Sequence, residues 1–210
     1  MSGSVPIILK RLESSIPSYE TELRHEDPFQ LLMATILSAQ TTDERVNQVT
    51  PTLFQRYPDP AALAAVDSSE LEERIHATGF FRQKAKALKA CSQGLVELFG
   101  GRVPDSLEEL VRLPGVGRKT ANLILGQAFG KPAVVVDTHV RRVARRLGLT
   151  AEEKDATRIE LDLRAQLPEP AWWSGSSRLL LHGRYVCTAR KPRCAECVLS
   201  DLCPSAFRCG

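Results

Sequence analysis

Residues 113–122 read LPGVGRKTAN, and this short stretch is the most informative local motif of the chain. It joins a predicted short helix over residues 106–112 to a second predicted helix from about Arg118 to Phe129. Pro114 ends the first helix, and the two glycines permit a positive φ and leave no Cβ that would keep a phosphate away. The amides of the turn and of the second helix's first turn can then face one anion together. The pattern is typical of a helix-hairpin-helix that binds DNA through its backbone; an ordinary corner between two helices is the alternative.

The rest of the chain is predicted to be almost entirely helical. Residues 59–60, Asp-Pro, mark a helix start, and Gly79 and Gly100 mark helix ends. Pro51 lies inside a helical pattern, so we expect a kink or a break there. The strand-like run at 133–136, AVVV, is too short to build a sheet, and we expect a buried extended segment. These patterns predict an all-α fold.

The composition is that of an ordinary soluble globular protein, with 210 residues of which 43% are hydrophobic and 25% charged. The N-terminal stretch has no apolar run long enough for a signal peptide or a membrane span, and Glu13 and Glu20 argue against a transit peptide. We therefore expect a cytoplasmic, nucleoid-associated protein that has no membrane partner and is a monomer.

The charge is unevenly distributed, although the net charge is only +3. Residues 112–146 contain eight basic residues and a single acid, Asp137. Such asymmetry is expected of a surface that binds a polyanion. A basic helix that is merely solvated is the alternative explanation.

Lys119 and Asp137 are the candidate catalytic residues. A lysine in the first turn of a helix faces the positive end of the helix dipole, which disfavours the charged form of its amine. With partial burial and Arg118 beside it, such an amine can act as a nucleophile. Asp137 follows three valines and precedes a predicted helix, so its carboxylate lies at the helix start. A phosphate contact for Lys119 and a simple helix cap for Asp137 are the alternatives.

Four cysteines near the C-terminus have the spacing of ligands to one metal centre. A structural zinc or an iron–sulfur cluster would suit four thiolates. Two CxxC pairs would favour zinc, but this set has one, flanked by gaps of six and five residues, which favours [4Fe–4S]. Two disulfides are the third possibility. Cys91, expected to fill a buried space, and Cys209 are left outside the set. The expected ligands are Cys187, Cys194, Cys197 and Cys203.

Five segments together resemble the endonuclease III family of helix-hairpin-helix base-excision DNA glycosylases, the type with an iron–sulfur cluster. The resemblance implies two all-α lobes with a DNA groove between them. One lobe is a six-helix barrel over residues 22–132, and the other combines residues 1–21 with 133–210 and carries the cluster. The segments are LSAQTTD at 37–43, TGFFRQKA at 78–85, LPGVGRKTAN at 113–122, VDTHVRRVARRLGL at 136–149 and LHGRYVCTARKPRCAECVLSDLC at 181–203.

The resemblance also implies a bifunctional DNA glycosylase and abasic-site (AP) lyase that removes oxidised pyrimidines from duplex DNA. Lys119 would attack C1′ of the sugar and form a Schiff base, with Asp137 assisting, and elimination would then nick the strand. Gln40 would fill the space left by the flipped base, and Phe80 would wedge the opposite strand. The family has leucine where this chain has Phe80, so the wedge here is bulkier.

Further contacts follow from the same resemblance. The basic loop between the first two cluster cysteines would bind the DNA backbone, and three carbonyls of the hairpin would hold a monovalent cation. An adenine-mismatch glycosylase shares the fold but lacks the lysine; a non-catalytic hairpin module and a zinc-stabilised DNA-binding protein are the other rivals. The expected DNA contacts are Gly115, Gly117, Arg118, Arg190, Lys191 and Arg193, and the expected cation carbonyls are those of Val111, Leu113 and Val116.

Overall fold

A computed structural model of the chain describes residues 4–208, so that Cys209 lies outside the described residues. Within this range the secondary structure is helical and contains no strand, which confirms the all-α prediction. None of the helices in the described range is long and apolar enough to cross a membrane. In chain order the α-helices are α1 (Val5–Ser15), α2 (Pro28–Leu37), α3 (Asp43–Arg56), α4 (Pro60–Ala65), α5 (Ser68–Ile75), α6 (Phe81–Phe99), α7 (Leu107–Leu110), α8 (Arg118–Phe129), α9 (Thr138–Arg146), α10 (Ala156–Gln166) and α11 (Trp172–Tyr185).

The contacts divide the chain into two compact units. The central unit spans Thr21–Gly130 and contains α2 to α8. The terminal unit combines the residues up to Glu20 with those from Lys131 onward, and it contains α1 and α9 to α11.

Helix α2 forms the core of the central unit. It begins where the Asp27 side chain accepts a hydrogen bond from the Gln30 amide at 2.8 Å. Its apolar residues are spread around the whole helix, and Leu31, Leu32 and Leu37 are completely buried. Since burying a leucine contributes about 1.5–3 kcal/mol, this helix is a large part of the unit's stability. It packs against α3, α6 and α8, and so supports α8, the second helix of the hairpin.

Helix α3 runs through Pro51 as one element, so a break at this proline does not occur. Pro51 is exposed, while Val49 and Leu53 on either side of it are buried. Packing of the buried face therefore maintains the helix despite the missing backbone donor. The predicted helix ends at Gly79 and Gly100 are confirmed: Gly79 follows a short 3-10 helix (His76–Thr78) that continues α5, and Gly100 ends α6. Both glycines have positive φ, of 67° and 60°.

The terminal unit is built around the contact between α9 and α11. An alanine-type Cβ at Gly183 of α11 would lie 2.9 Å from the Cβ of His139 and 3.0 Å from a methyl of Val143, so only glycine allows this approach. Residues 133–136 lead into α9 as a buried segment without strand pairing, which confirms the prediction. The Val135 amide donates to Ser176 Oγ at 3.2 Å, which satisfies a buried polar group in the absence of a sheet.

Candidate functional site

The hairpin lies between α7 and α8, and α8 begins at Arg118 and ends at Phe129 as predicted. Ser106 caps α7 by accepting from the Glu109 amide at 3.3 Å, and its hydroxyl donates to the Glu109 carboxylate at 2.8 Å. The turn closes with a hydrogen bond from the Val116 amide to the Leu113 carbonyl at 3.1 Å. Because a carbonyl oxygen has two lone pairs, this bond leaves Leu113 able to bind a cation as well.

The two hairpin glycines serve different purposes, which corrects the expectation of a positive φ at both. Gly115 has a φ of 79°, in the left-handed region that favours glycine. Gly117 has a φ of −86° and is the N-cap of α8, so any residue could adopt its backbone conformation. A Cβ at Gly117 would meet nothing within 4 Å in the protein. The space beside this helix start is therefore open in the protein.

Lys119 is the second residue of α8 and its side chain is exposed. The expectation of partial burial is therefore wrong for the protein alone. The physical reason is that α7 and the turn, where Leu113 and Val116 are buried, pack against α8 on the side away from the Lys119 side chain. The amine is thus accessible to a large substrate, as a nucleophile must be.

Asp137 is the N-cap of α9. Its Oδ1 atom accepts hydrogen bonds from the amides of His139 and Val140, both at 2.8 Å. Since a single oxygen makes both capping bonds, the cap does not use Oδ2. Capping and a chemical role are therefore compatible at this carboxylate. Lys119 belongs to the central unit and Asp137 to the terminal unit.

Gln40 and Phe80 are each at the tip of a loop in the central unit. Both have left-handed backbone conformations, with φ of 54° at Gln40 and 47° at Phe80. Such a conformation costs roughly 1–2 kcal/mol for a residue with a side chain and is a feature of functional sites. Both side chains are exposed, and 60% of the Phe80 surface is accessible. An apolar ring held outward at this cost is suited to insertion between bases.

The four predicted cluster ligands are brought together in the terminal unit. Their thiols line one pocket together with apolar side chains such as Val143, Leu147 and Leu199. Four cysteine thiols around one pocket are the donor set that an iron–sulfur cluster uses. Cys91 by contrast is fully buried in α6, where burial raises the pKa of its thiol to about 12, so the prediction of a buried filler is confirmed.

The chemistry of the pocket fits a group that carries positive charge. Burial, followed by repulsion from the Cys187 and Cys194 sulfurs, raises the pKa of the Cys197 thiol, although a hydrogen bond from the Leu199 amide opposes this. A metal must therefore compensate for the cost of forming thiolates. His182 lies beside the pocket, with Nε2 3.5 Å from Cys197 Sγ. Burial lowers the pKa of His182 to about 4, so that its ring is neutral at neutral pH.

Two arginines of α9, which the sequence assigned only to a basic surface, hold the start of the cysteine loop. Arg142 donates from Nε to the Cys187 carbonyl at 2.9 Å. Arg146 donates to Cys187 Sγ at 3.3 Å and to the carbonyls of Thr188 and Ala189 at 2.8 and 3.0 Å. The four-residue spacing of these arginines on one helix face is the signal that could have indicated a shared partner. The basic stretch is thus partly structural.

The three cations of the cluster loop differ in their contacts. Arg190, Lys191 and Arg193 are all exposed. Arg193 in addition donates to the Tyr185 carbonyl, and its guanidinium lies 3.4 Å from the Glu196 carboxylate. Arg190 and Lys191 are therefore better placed to exchange their hydration for phosphate than Arg193 is.

Comparison with known proteins agrees with this geometry. Residues 33–169 match the family model described as HhH-GPD superfamily base excision DNA repair protein, and residues 187–203 match the iron-sulfur binding domain of endonuclease III. Endonuclease III of Synechocystis sp. is 56% identical over 95% of this chain and 90% of its own length, and that of Bacillus subtilis is 45% identical over 95% and 91%. A solved structure of a trapped endonuclease III–DNA covalent intermediate, in an estranged-adenine complex, matches with a TM-score of 0.92 and 39% identity, covering 98% of this chain and 97% of that one.

Proposed function

The chain belongs to the endonuclease III family of the HhH-GPD base excision DNA repair superfamily, and on that basis we propose which of its residues carry out the reaction. The protein is a bifunctional DNA glycosylase and AP lyase that acts on duplex DNA containing oxidised pyrimidines or abasic sites. It carries a [4Fe–4S] cluster. In this proposal the enzyme works in the cytoplasm on the nucleoid.

Lys119 is the nucleophile. Its Nζ atom attacks C1′ of the damaged nucleotide, and the base leaves with the electron pair of the glycosidic bond and takes up a proton. The sugar opens and the lysine becomes a Schiff base. Loss of a proton from C2′ then expels the 3′ phosphate and nicks the strand, and water releases Lys119. The exposure of the amine at the start of α8 supports this role, because C1′ must come to the protein surface.

Asp137 assists the chemical step. A carboxylate can take the proton that Lys119 must lose or stabilise the positive charge that develops on the sugar. The amides of His139 and Val140 hold its Oδ1 atom through hydrogen bonds of 2.8 Å each. The carboxylate is therefore oriented before any substrate binds, at no further cost in entropy.

The DNA contacts come from both units. The amides at Gly115 and Gly117 and the side chain of Arg118 bind the backbone, helped by a monovalent cation on the carbonyls of Val111, Leu113 and Val116. Gln40 and Phe80 replace the flipped nucleotide and hold the duplex open, which reduces the few kcal/mol that flipping costs. The central unit corresponds to the barrel domain and the terminal unit to the cluster domain of this proposal.

The cluster ligands are Cys187, Cys194, Cys197 and Cys203. When bound, the cluster supplies a fixed, compact centre around which the loop folds, and it takes no part in the reaction itself. The loop then presents Arg190 and Lys191 to DNA phosphates, with Arg193 largely engaged within the protein.

The observation that carries the proposal is an accessible lysine in the first turn of the hairpin's second helix, in a chain of this family. The test uses a duplex with one oxidised pyrimidine, labelled at the 5′ end, and no added abasic-site nuclease. The holoenzyme should nick it and leave an unsaturated aldehyde on the 3′ end. An undamaged duplex of the same sequence is the control. Release of the base without nicking would contradict the lyase activity.

A further inference from the structure

Two loops of the central unit are connected to each other by side chains. The Gln40 loop comprises residues 38–42, between α2 and α3. The Phe80 loop comprises residues 76–80, between α5 and α6, and consists of the 3-10 helix His76–Thr78 followed by Gly79 and Phe80. Thr41 Oγ1 donates to the Thr78 carbonyl at 2.5 Å. The two loops are thus in direct contact one residue after Gln40 and two residues before Phe80.

The side chain of Lys84, on α6, forms hydrogen bonds with both loops. Its Nζ atom donates to Thr41 Oγ1 at 2.6 Å and to the Thr78 carbonyl at 2.8 Å. Its backbone amide donates to the Phe80 carbonyl at 3.1 Å, so the side chain is anchored one helical turn after the loop tip. A lysine, with three donors on one nitrogen, can hold two acceptors at a fixed separation.

The position of Lys84 is unusual for a lysine, because only 5% of its surface is exposed. Burial lowers the pKa of its amine, and within residues 4–208 no carboxylate lies close enough to form an ion pair with it. Burying an amine without an opposite charge is costly, so its hydrogen bonds must compensate. The same burial makes the amine inaccessible to a sugar, so Lys84 is not a second nucleophile.

The hydrogen bonds of Lys84 stabilise the strained backbone at the two loop tips. Residues with a left-handed backbone, such as Gln40 and Phe80, keep that conformation only where several surrounding contacts hold it in place. The bonds of Lys84 fix the residues next to both tips at the same time. Losing them would leave each tip to relax separately.

We propose that Lys84 is a positioning residue that fixes the Gln40 loop to the Phe80 loop, so that both side chains enter the duplex as one unit. This rests on the proposed roles of Gln40 and Phe80. Lys84 touches neither DNA nor the reacting atoms; it acts through the two tips. The consequence falls on opening of the duplex rather than on the Schiff-base chemistry.

The first experiment compares Lys84→Met with Lys89→Met in the holoenzyme. Lys89 is on the same helix, and its Nζ donates to the Val66 carbonyl at 2.5 Å and to Ser68 Oγ at 3.2 Å, so it also anchors a loop, but a different one. Base removal is measured in single turnover on a duplex lesion and on the same lesion in a single strand. Lys84→Met should slow the duplex reaction at least about tenfold more than the single-strand reaction, the scale of lost hydrogen bonds to a charged group. Lys89→Met should slow the two reactions equally or not at all.

A second readout follows the opening step itself. With 2-aminopurine beside the lesion and saturating protein, the wild type should raise the fluorescence as the base unstacks, and Lys84→Met should not. In a Phe80→Ala background, Lys84→Met should add less loss than it causes alone, because one of the two side chains through which it acts is absent. If Lys84→Met does not fold, Thr41→Val removes one acceptor and the bond to Thr78, and should give the same selective loss on duplex DNA.

The outcomes separate this inference from the proposed function. A wild type that neither nicks nor forms a Schiff base would overturn the proposed function. With an active wild type, an equal loss on both substrates for the folded variant would overturn the role of Lys84. Full additivity with Phe80→Ala would do the same.

Discussion

The guanidinium of Arg146 lies 3.3 Å from the Sγ atom of Cys187 and also binds the next two carbonyls of the cysteine loop. Arg146 is the last residue of α9, and Asp137 is the cap at the start of that helix. One helix of nine residues therefore carries the proposed catalytic carboxylate at one end and holds the proposed cluster loop at the other. A hydrogen bond to a ligating sulfur also affects how firmly a cluster is held.

Arg146→Met should weaken retention of the cluster. The substitution removes three hydrogen bonds that fix residues 187–189 and leaves two carbonyls without their donor. Iron per chain and the broad visible absorbance should fall faster during dialysis against a chelator than in the wild type. The matched control is Arg145→Met, which removes an arginine of the same helix that pairs with Glu153 instead of the loop. Equal iron loss from both variants would contradict a specific role for Arg146.

Asp137→Asn should fold normally and lose at least about 100-fold in the rate of base removal, the scale of a positioned acid–base or electrostatic group. Asparagine caps a helix about as well as aspartate, so the bonds to the amides of His139 and Val140 are kept. Thermal unfolding and single-turnover rates are measured on the same preparation. An active Asp137→Asn enzyme would reduce Asp137 to a helix cap.

Phe80→Ala should slow base removal more on an intact lesion pair than on a single strand or a preformed abasic site. The ring is 60% exposed and held outward by a strained backbone, so its removal costs the folded protein little. Opening a paired duplex needs the wedge, whereas the other two substrates need less unstacking. The same slowing on all three substrates would be inconsistent with a wedge.

Neutralising Arg190 and Lys191 together to glutamine should weaken binding to damaged and undamaged DNA alike. The slope of log K against log salt should flatten by up to about 0.9 for each lost phosphate contact. Adding Arg193→Gln should change the slope less than either of the first two, since its guanidinium is held by Tyr185 and Glu196. A double variant of two paired arginines, Arg56→Gln with Arg158→Gln, removes the same charge elsewhere. Identical slopes for the two double variants would show that the loop does not touch DNA.

Much of the fold follows from local rules in the sequence. The start and end of α8, the cap at Asp137 and the helix ends at Gly79 and Gly100 depend on a residue and its near neighbours. The sequence does not exclude a break at Pro51, because the packing that keeps α3 continuous involves residues distant in sequence.

The contacts that the sequence did not reveal join residues far apart in the chain. Lys84 and Thr41 are separated by 43 positions, and Arg146 and Cys187 by 41. A buried lysine and an exposed one look alike in a helical pattern, and so do an arginine that binds phosphate and one that holds a loop. Lys119 was expected to be partly buried and is exposed, because its exposure depends on which residues pack against α8.

Borohydride trapping during turnover tests most directly whether Lys119 forms the Schiff base. The wild type and Lys119→Gln are compared on the same oxidised-pyrimidine duplex. Borohydride reduces a Schiff base to a stable amine, so the wild type should yield a covalent protein–DNA adduct. Lys119→Gln should yield neither adduct nor nick while binding the duplex about as well, because glutamine removes the nucleophile from an exposed position without disturbing α8. An adduct of equal yield from Lys119→Gln would show that Lys119 is not the nucleophile.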